Sequence, residues 1–261
     1  MDKKNTQIDQ AITYGYSLDL GTVIEKAFEN YKKIALLGGL AYLIIALAVM
    51  GIAFTFAVTV LGISDFTETM TNFDPTSFTI VGIIGYVLIM ILISGLTSPL
   101  NAGFLKMAHL AENNQEFSIG TIFDYYKTIH FKELFIAASF LSLINLGLTF
   151  LFEFVDFPVL GALFTYIIAF FTLLYSPLIV FGNQKAIDSI VKSFQLVIKQ
   201  PFIILLLIII SFIGVFLGII GLCIGIFFTI PFWNSMIYTI YTTAIPTEES
   251  NEIEEIGAIE E

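Results

Sequence analysis

Three asparagines inside long apolar runs, Asn101, Asn145 and Asn234, are the side chains most able to do chemistry in this chain. Each carries a donor pair and an acceptor that need partners where water is scarce. Asparagines converging on a cavity would bind a small or lipidic substrate. Isolated ones would hold helices together. Three prolines accompany them: Pro99 in TSPLNAGF, Pro177 in YSPLIVFG and Pro231 in TIPFWNSM. A proline inside a helix removes an amide donor and clashes with the carbonyl one turn earlier. Each should therefore bend its span and release a carbonyl, which a nearby Ser, Thr or Asn can satisfy. Such a break either packs as a kink or lines a cavity.

Other chemistry finds little footing. His109, His130 and the single Cys223 do not have the spacing of a metal site, and one cysteine excludes an intrachain disulfide. The chain has no GxSxG elbow, HExxH helix or GxxxxGK[ST] loop. No charged side chain lies deep in an apolar run, where ion-coupled transporters and proton relays place theirs. Glu133, Glu153 and Asp156 fall at run ends. The sequence therefore calls for no enzyme, cofactor or metal. Net charge is −11, but seven acids lie at or after Glu248. That acidity belongs largely to a tail and argues against nucleic acid as a partner.

The elements that must position these residues are membrane helices. The chain is 57% hydrophobic and 13% charged, and a crossing needs roughly 20 mostly apolar residues. The uncharged runs predict helices at 34–62, 77–105, 132–152, 157–182, 201–221 and 223–244. The last run spans 200–247 and is long enough for two crossings, with Gly218, Gly221 and Gly225 marking the turn. The polar start, with Asp2, Lys3, Lys4, Asp9, Asp19 and Glu25 before any apolar run, does not read as a secretory signal. The expectation is an all-α polytopic membrane protein with one six-helix domain over 1–245 and an acidic disordered tail over 246–261. The tail is either solvated or folds as a short helix on a partner.

Orientation follows from the lysines. All eleven basic residues are lysine. With six crossings they share one face with both termini: Lys3, Lys4, Lys26, Lys32 and Lys33, then Lys106, Lys127 and Lys132, then Lys185, Lys192 and Lys199. The opposite loops hold Asp65, Glu68, Asp74, Glu153 and Asp156. Loop lysines stay cytoplasmic, which puts both termini inside.

Each lysine-bearing segment before a hairpin also predicts a short amphipathic helix. The apolar faces are Val23, Ile24, Ala27, Phe28 and Tyr31; then Ile122, Phe123, Tyr126, Ile129 and His130; then Ile187, Ile190, Val191, Phe194, Val197 and Ile198. Such helices either lie in the headgroups of membrane lipids or pack on the bundle ends. With the recurring prolines they suggest three parallel units, 20–105, 120–182 and 185–244, rather than inverted repeats. Tyr14 and Tyr16 read as surface or docking residues. Trp233, Tyr238 and Tyr241 read as an interfacial aromatic belt, with core packing the alternative for Trp233.

The stretches GLTSPLNAGFLKMA with IFDYYK, AIDSIVKSFQLVIKQPF, and GIIGLCIGIFFTIPFWNSMIYTIY carry a resemblance that covers most of the chain. They resemble a broad group of uncharacterised six-span bacterial membrane proteins, similar to the membrane domain found beside some glycerophosphodiester phosphodiesterases. The resemblance implies the six-span fold and no particular activity. Together these readings favour a non-enzymatic role in membrane organisation or assembly, with a membrane protein partner or self-association. The alternative is a transporter or permease for a small or lipidic substrate.

Overall fold

A computed structural model describes residues 3–61, 79–220 and 224–245. Asp65, Glu68, Asp74, Gly221, Cys223 and the acidic tail lie outside those residues. The described chain is helical, without strands. It runs α1 (Lys3–Tyr14), α2 (Leu20–Leu61), α3 (Ile80–Glu112), a 3-10 segment (Ile119–Lys127), α4 (His130–Phe154), α5 (Pro158–Phe171), α6 (Tyr175–Val180), α7 (Ala186–Val197), α8 (Pro201–Leu217) and α9 (Gly225–Ala244).

Four helical stretches are long and apolar enough to cross a membrane: Leu20–Phe56, Ile80–Glu112, His130–Phe154 and Pro158–Val180. A fifth is reached if α7 and α8, bent by 101°, are taken together. Their apolar surface faces outward. In α3's most apolar window only 6% of the residues are buried. Lipid gives apolar helices no reason to hide from their surroundings, so outward apolar faces are the rule for a membrane bundle.

The packed core sits in the lysine-bearing half. In α2 burial is concentrated between Val23 and Ala41, whereas Leu47 to Phe56 is exposed on every side. In α3 it runs from Gly95 to Ala111, and in α4 from Leu134 to Leu141. The last helix is the pillar of this core. From Pro231 to Tyr241 every residue of α9 except Trp233 is buried, including Asn234, Ser235 and Thr239. These polar side chains face protein. Gly38 and Gly39 of α2 admit it: a Cβ on Gly39 would lie 2.8 Å from the Phe228 Cα, and one on Gly38 3.1 Å from the Pro231 ring. At the hairpin between α8 and α9, Gly218 and Gly225 touch backbone to backbone. Those two described glycines thus mark the expected turn.

The three amphipathic segments take three different forms. The first is no separate helix. It continues straight into its span, and α2's 42 residues make about 63 Å at 1.5 Å per residue, twice a bilayer core. Asp19 starts it, accepting from the Thr22 amide at 2.8 Å and the Thr22 hydroxyl at 2.7 Å. These bonds hold the Asp19 carboxyl below its ordinary 3.8. A lowered carboxyl stabilises the fold above the unfolded value and loses that contribution as pH falls through the folded one. Exchange protection of the Thr22 amide is therefore expected to fade below pH 3.8, and in Asp19→Ala to be weak at every pH.

The second segment is a 3-10 helix. With three residues per turn, Ile119, Ile122 and Tyr125 stack on one face, and Ile122 and Tyr125 are buried. The face expected from an α-helical period is therefore split: Phe123 and Ile129 point outward. The third, α7, is helical as expected, but its buried face is Ala186, Ser189, Ser193, Leu196 and Val197. Of the six apolar residues assigned to it, only Val197 is buried.

The sequence also hides α1. Ile8 and Ala11 are buried in the main core, and Asp9 pairs with Lys192 of α7 at 2.8 Å. The Tyr16 hydroxyl donates to the Leu196 carbonyl at 2.8 Å, so Tyr16 is a packing residue and only Tyr14 is at the surface. Burial pushes the Tyr16 hydroxyl up, which keeps it a donor.

Candidate functional site

The three prolines sit in three different settings. Pro99 is buried within α3, which continues on both sides of it. The Leu96 carbonyl, three residues earlier, accepts from the Tyr126 hydroxyl at 2.5 Å. Pro177 lies in α6, just past a break at Thr172–Leu174. There the buried Ser193 of α7 fills the gap. Its Oγ accepts from the Leu174 amide at 2.9 Å and donates to the Phe171 carbonyl at 2.9 Å. Pro231 lies inside α9 against Gly38. Two residues earlier, Thr229 donates to the Val215 carbonyl of α8 at 2.8 Å. Hydroxyl partners for a bent span were expected nearby in sequence. At Pro99 and Pro177 they come instead from the following lysine-bearing segment.

The asparagines do not converge. Asn101 is exposed on α3. Asn234 is buried in α9, and its Nδ2 donates to the Tyr42 hydroxyl at 2.8 Å. Tyr42 stacks on Phe104 with ring centroids 3.8 Å apart, so this amide joins α9 to α2 and α3. Replacing Asn234 with Ala should cost about 1 kcal/mol for the bond, and Tyr42→Phe should cost about as much. In a double-mutant cycle followed by thermal melting, the pair should then couple rather than add.

Asn145 alone lines a cavity. A groove of about 390 Å³ opens between α3, α4 and α6, walled by Met90, Ser94, Leu141, Ser142, Asn145 and Tyr175 among others. Asn145 Oδ1 is buried without a hydrogen-bond partner among the described residues. Ser176 Oγ, next to Pro177, is a second such atom. Tyr175 and Ser98 share a hydroxyl contact at 3.3 Å. The groove is mostly apolar with a few polar points, which is the chemistry of a site for a neutral amphiphile.

Asn30 was not evident from the sequence, yet it bridges three helices of the core. It donates to the Ala108 carbonyl at 2.7 Å and accepts from Ser235 at 2.9 Å, tying α2, α3 and α9 together. Its signal was faint: one amide among the charged residues of ENYKK. Glu133 was noted only as a helix-end acid. Its carboxylate accepts the first amide of α7, Ala186 N–H, at 2.8 Å, where a negative charge favours a helix start. At the lysine-bearing end, His109 Nδ1 lies 3.0 Å from the Tyr238 hydroxyl, which donates to Glu112. Tyr238 and Tyr241 are core residues and not the interfacial belt expected of them, because α9 packs against protein along that stretch. Among the described residues no group of three or more His, Cys, Asp or Glu could hold a metal ion.

A contact pattern runs through these details. Helices pack on the lysine-bearing segment that follows them: α3 on the 3-10 segment, and α5 and α6 on α7. The last helix, α9, returns to the first segment through Asn30 and through Phe232 against Phe28 and Tyr31. The site is thus a ring of segment-to-helix contacts that α9 closes, with a lateral groove beside Asn145. No protein-family model, curated protein or solved structure matches the chain, so its function has to be read from this geometry.

Proposed function

We propose that this chain is a bacterial inner-membrane protein that crosses the bilayer six times, with both termini cytoplasmic, and that it organises or assembles membrane components without catalysing a reaction. The fifth and sixth crossings rest on length. By helical rise, α8 is about 26 Å and α9 about 30 Å, close to the hydrocarbon thickness. The ring of contacts supports the three-unit reading, because each unit repeats the same relation to the next. The resemblance to the six-span group fits this layout.

The observation that carries the organising role is the uneven packing. The lysine-bearing ends form one buried platform, while the other ends splay. From Leu47 to Phe56 every residue of α2 is exposed. Leu47, Val49, Met50 and Ile52 offer an apolar face to lipid or to spans of other proteins. Asn30, Ser98, Ser193, Asn234 and Ser235 of the core each join one segment to another.

Two measurements test this. Single cysteines in a Cys223→Ser background report topology: Asp65→Cys should label from outside, and Lys185→Cys only after permeabilisation. A photoreactive residue at Ile52 should give a reproducible crosslink to one membrane protein or to a second copy. Crosslinks to lipid alone, with unchanged membrane morphology on deletion, would defeat the organising role.

The groove beside Asn145 favours a second reading, a permease for a lipidic substrate. Purified protein should then carry an amphiphile, detectable by native mass spectrometry, that Asn145→Leu loses. An empty groove in both proteins would remove this reading.

A further inference from the structure

The helix α7 has three faces, not two. At 100° per residue, Ala186, Ser189, Ser193, Leu196 and Val197 form the face turned to the bundle, and all five are buried. Ile187, Val191, Phe194 and Ile198 form a second stripe about 130° away, and they are 46–50% exposed. Asp188, Lys192, Gln195 and Lys199 fill the third side. A helix packed on the end of a soluble bundle needs only a buried face and a wet face. A separate apolar stripe requires a third medium.

The orientation of α7 identifies that medium. The helix meets α8 at 101°, so when α8 crosses the bilayer α7 runs along its surface. It cannot roll away from this position. Glu133 holds its first amide, Asp9 holds Lys192, Ser193 is inserted into the α5–α6 break, and Tyr16 holds the Leu196 carbonyl. These contacts come from four other elements and fix the direction of the stripe. Lys185 and Lys199 flank the helix and enter no ion pair among the described residues. At the same end of the bundle, Phe123 and Ile129 also point outward.

We infer that α7 is an in-plane anchor: its Ile187, Val191, Phe194 and Ile198 stripe inserts into the headgroup layer of the cytoplasmic leaflet, and its flanking lysines favour anionic phospholipid. Apolar faces of surface helices sit about 5–10 Å into the headgroup–acyl boundary. Lysines near an anionic surface are attracted within a Debye length. The inference rests on the six-crossing orientation, which loop labelling tests separately. It does not depend on the organising role.

The test uses the full chain with Cys223→Ser, in nanodiscs of phosphatidylcholine with or without phosphatidylglycerol. Nitroxide labels are placed at Val191→Cys and Gln195→Cys, with Ile187→Cys as the replacement if the first variant does not fold. The stripe label should be open to oxygen and closed to a water-soluble nickel complex, and the Gln195 label the reverse. Equal nickel access at both positions would overturn the anchor. So would closure of the stripe label to both reagents together with a short label-to-label distance, because a second copy would then cover it. In the second arm, phosphatidylglycerol should raise the thermal midpoint of the unlabelled protein. Lys185→Gln with Lys199→Gln should abolish that rise. A midpoint indifferent to phosphatidylglycerol would overturn the anionic preference.

Discussion

Gly103→Ala should prevent this protein from reaching a single folded state. A Cβ at Gly103 would lie 2.2 Å from the Ile122 carbonyl oxygen, 2.4 Å from its Cα and 2.5 Å from its carbonyl carbon. All three atoms are backbone, so no side-chain rotation relieves the clash. Overpacking a core typically costs about 1–3 kcal/mol when side chains can give way. Here α3 and the 3-10 segment must separate, and the cost should reach or exceed the top of that range. Separation would also withdraw Tyr126 from the Leu96 carbonyl beside Pro99. The expected readout is loss of the monodisperse peak in detergent and faster proteolysis after Lys127. Gly147→Ala is the matched control, because nothing lies within 4 Å of a Cβ there. It should be tolerated and even gain up to about 1 kcal/mol from helix propensity. Equal behaviour of the two variants would show that α3 does not approach the 3-10 segment this closely.

The second large effect is expected at Ser193, where one hydroxyl serves both sides of a broken span. Removing it leaves the Leu174 amide and the Phe171 carbonyl without that partner in a buried site. Each orphaned group costs about 1–3 kcal/mol, so Ser193→Ala should lose roughly 3 kcal/mol or more. Ser189 sits one turn earlier on α7 and is equally buried, but it bonds only to the Ala186 carbonyl of its own helix. Ser189→Ala should therefore cost about 1 kcal/mol or less. Thermal melting of the two variants in the same detergent makes the comparison. If Ser193→Ala melted with Ser189→Ala, the α5–α6 break would not depend on α7.

Both predictions concern contacts between segments, and that is where the sequence was hardest to read. The helices themselves were legible. The expected spans at 77–105 and 132–152 correspond to α3 at Ile80–Glu112 and α4 at His130–Phe154; α3 starts later than expected, while its end and both edges of α4 run past the apolar stretch. The Gly218–Gly225 turn was legible as well. The details of the leading segments were not. Their apolar residues were grouped on an α-helical period. The second segment adopts a period of three, and in α7 small and hydroxyl residues face the protein while the larger apolar ones face out. In water an apolar stripe marks the buried side. Beside a membrane it marks either side, and pattern alone cannot separate core from lipid.

The same ambiguity governs the asparagines. One amide in an apolar run looks like another, yet Asn101 is exposed, Asn145 borders a groove and Asn234 is buried against Tyr42. What the chain alone settles is its solvent and the basis of its orientation: apolar runs of crossing length demand lipid, and lysine placement biases the sidedness of those runs. Only the folded arrangement decides that α9 is the central pillar, that Ser193 closes a break in another helix, and that α7 leaves a separate apolar stripe exposed. Transfer to lipid depends on each segment's own composition. Partner choice depends on close approach between backbones distant in sequence, which a few glycines and hydroxyls permit and composition does not record.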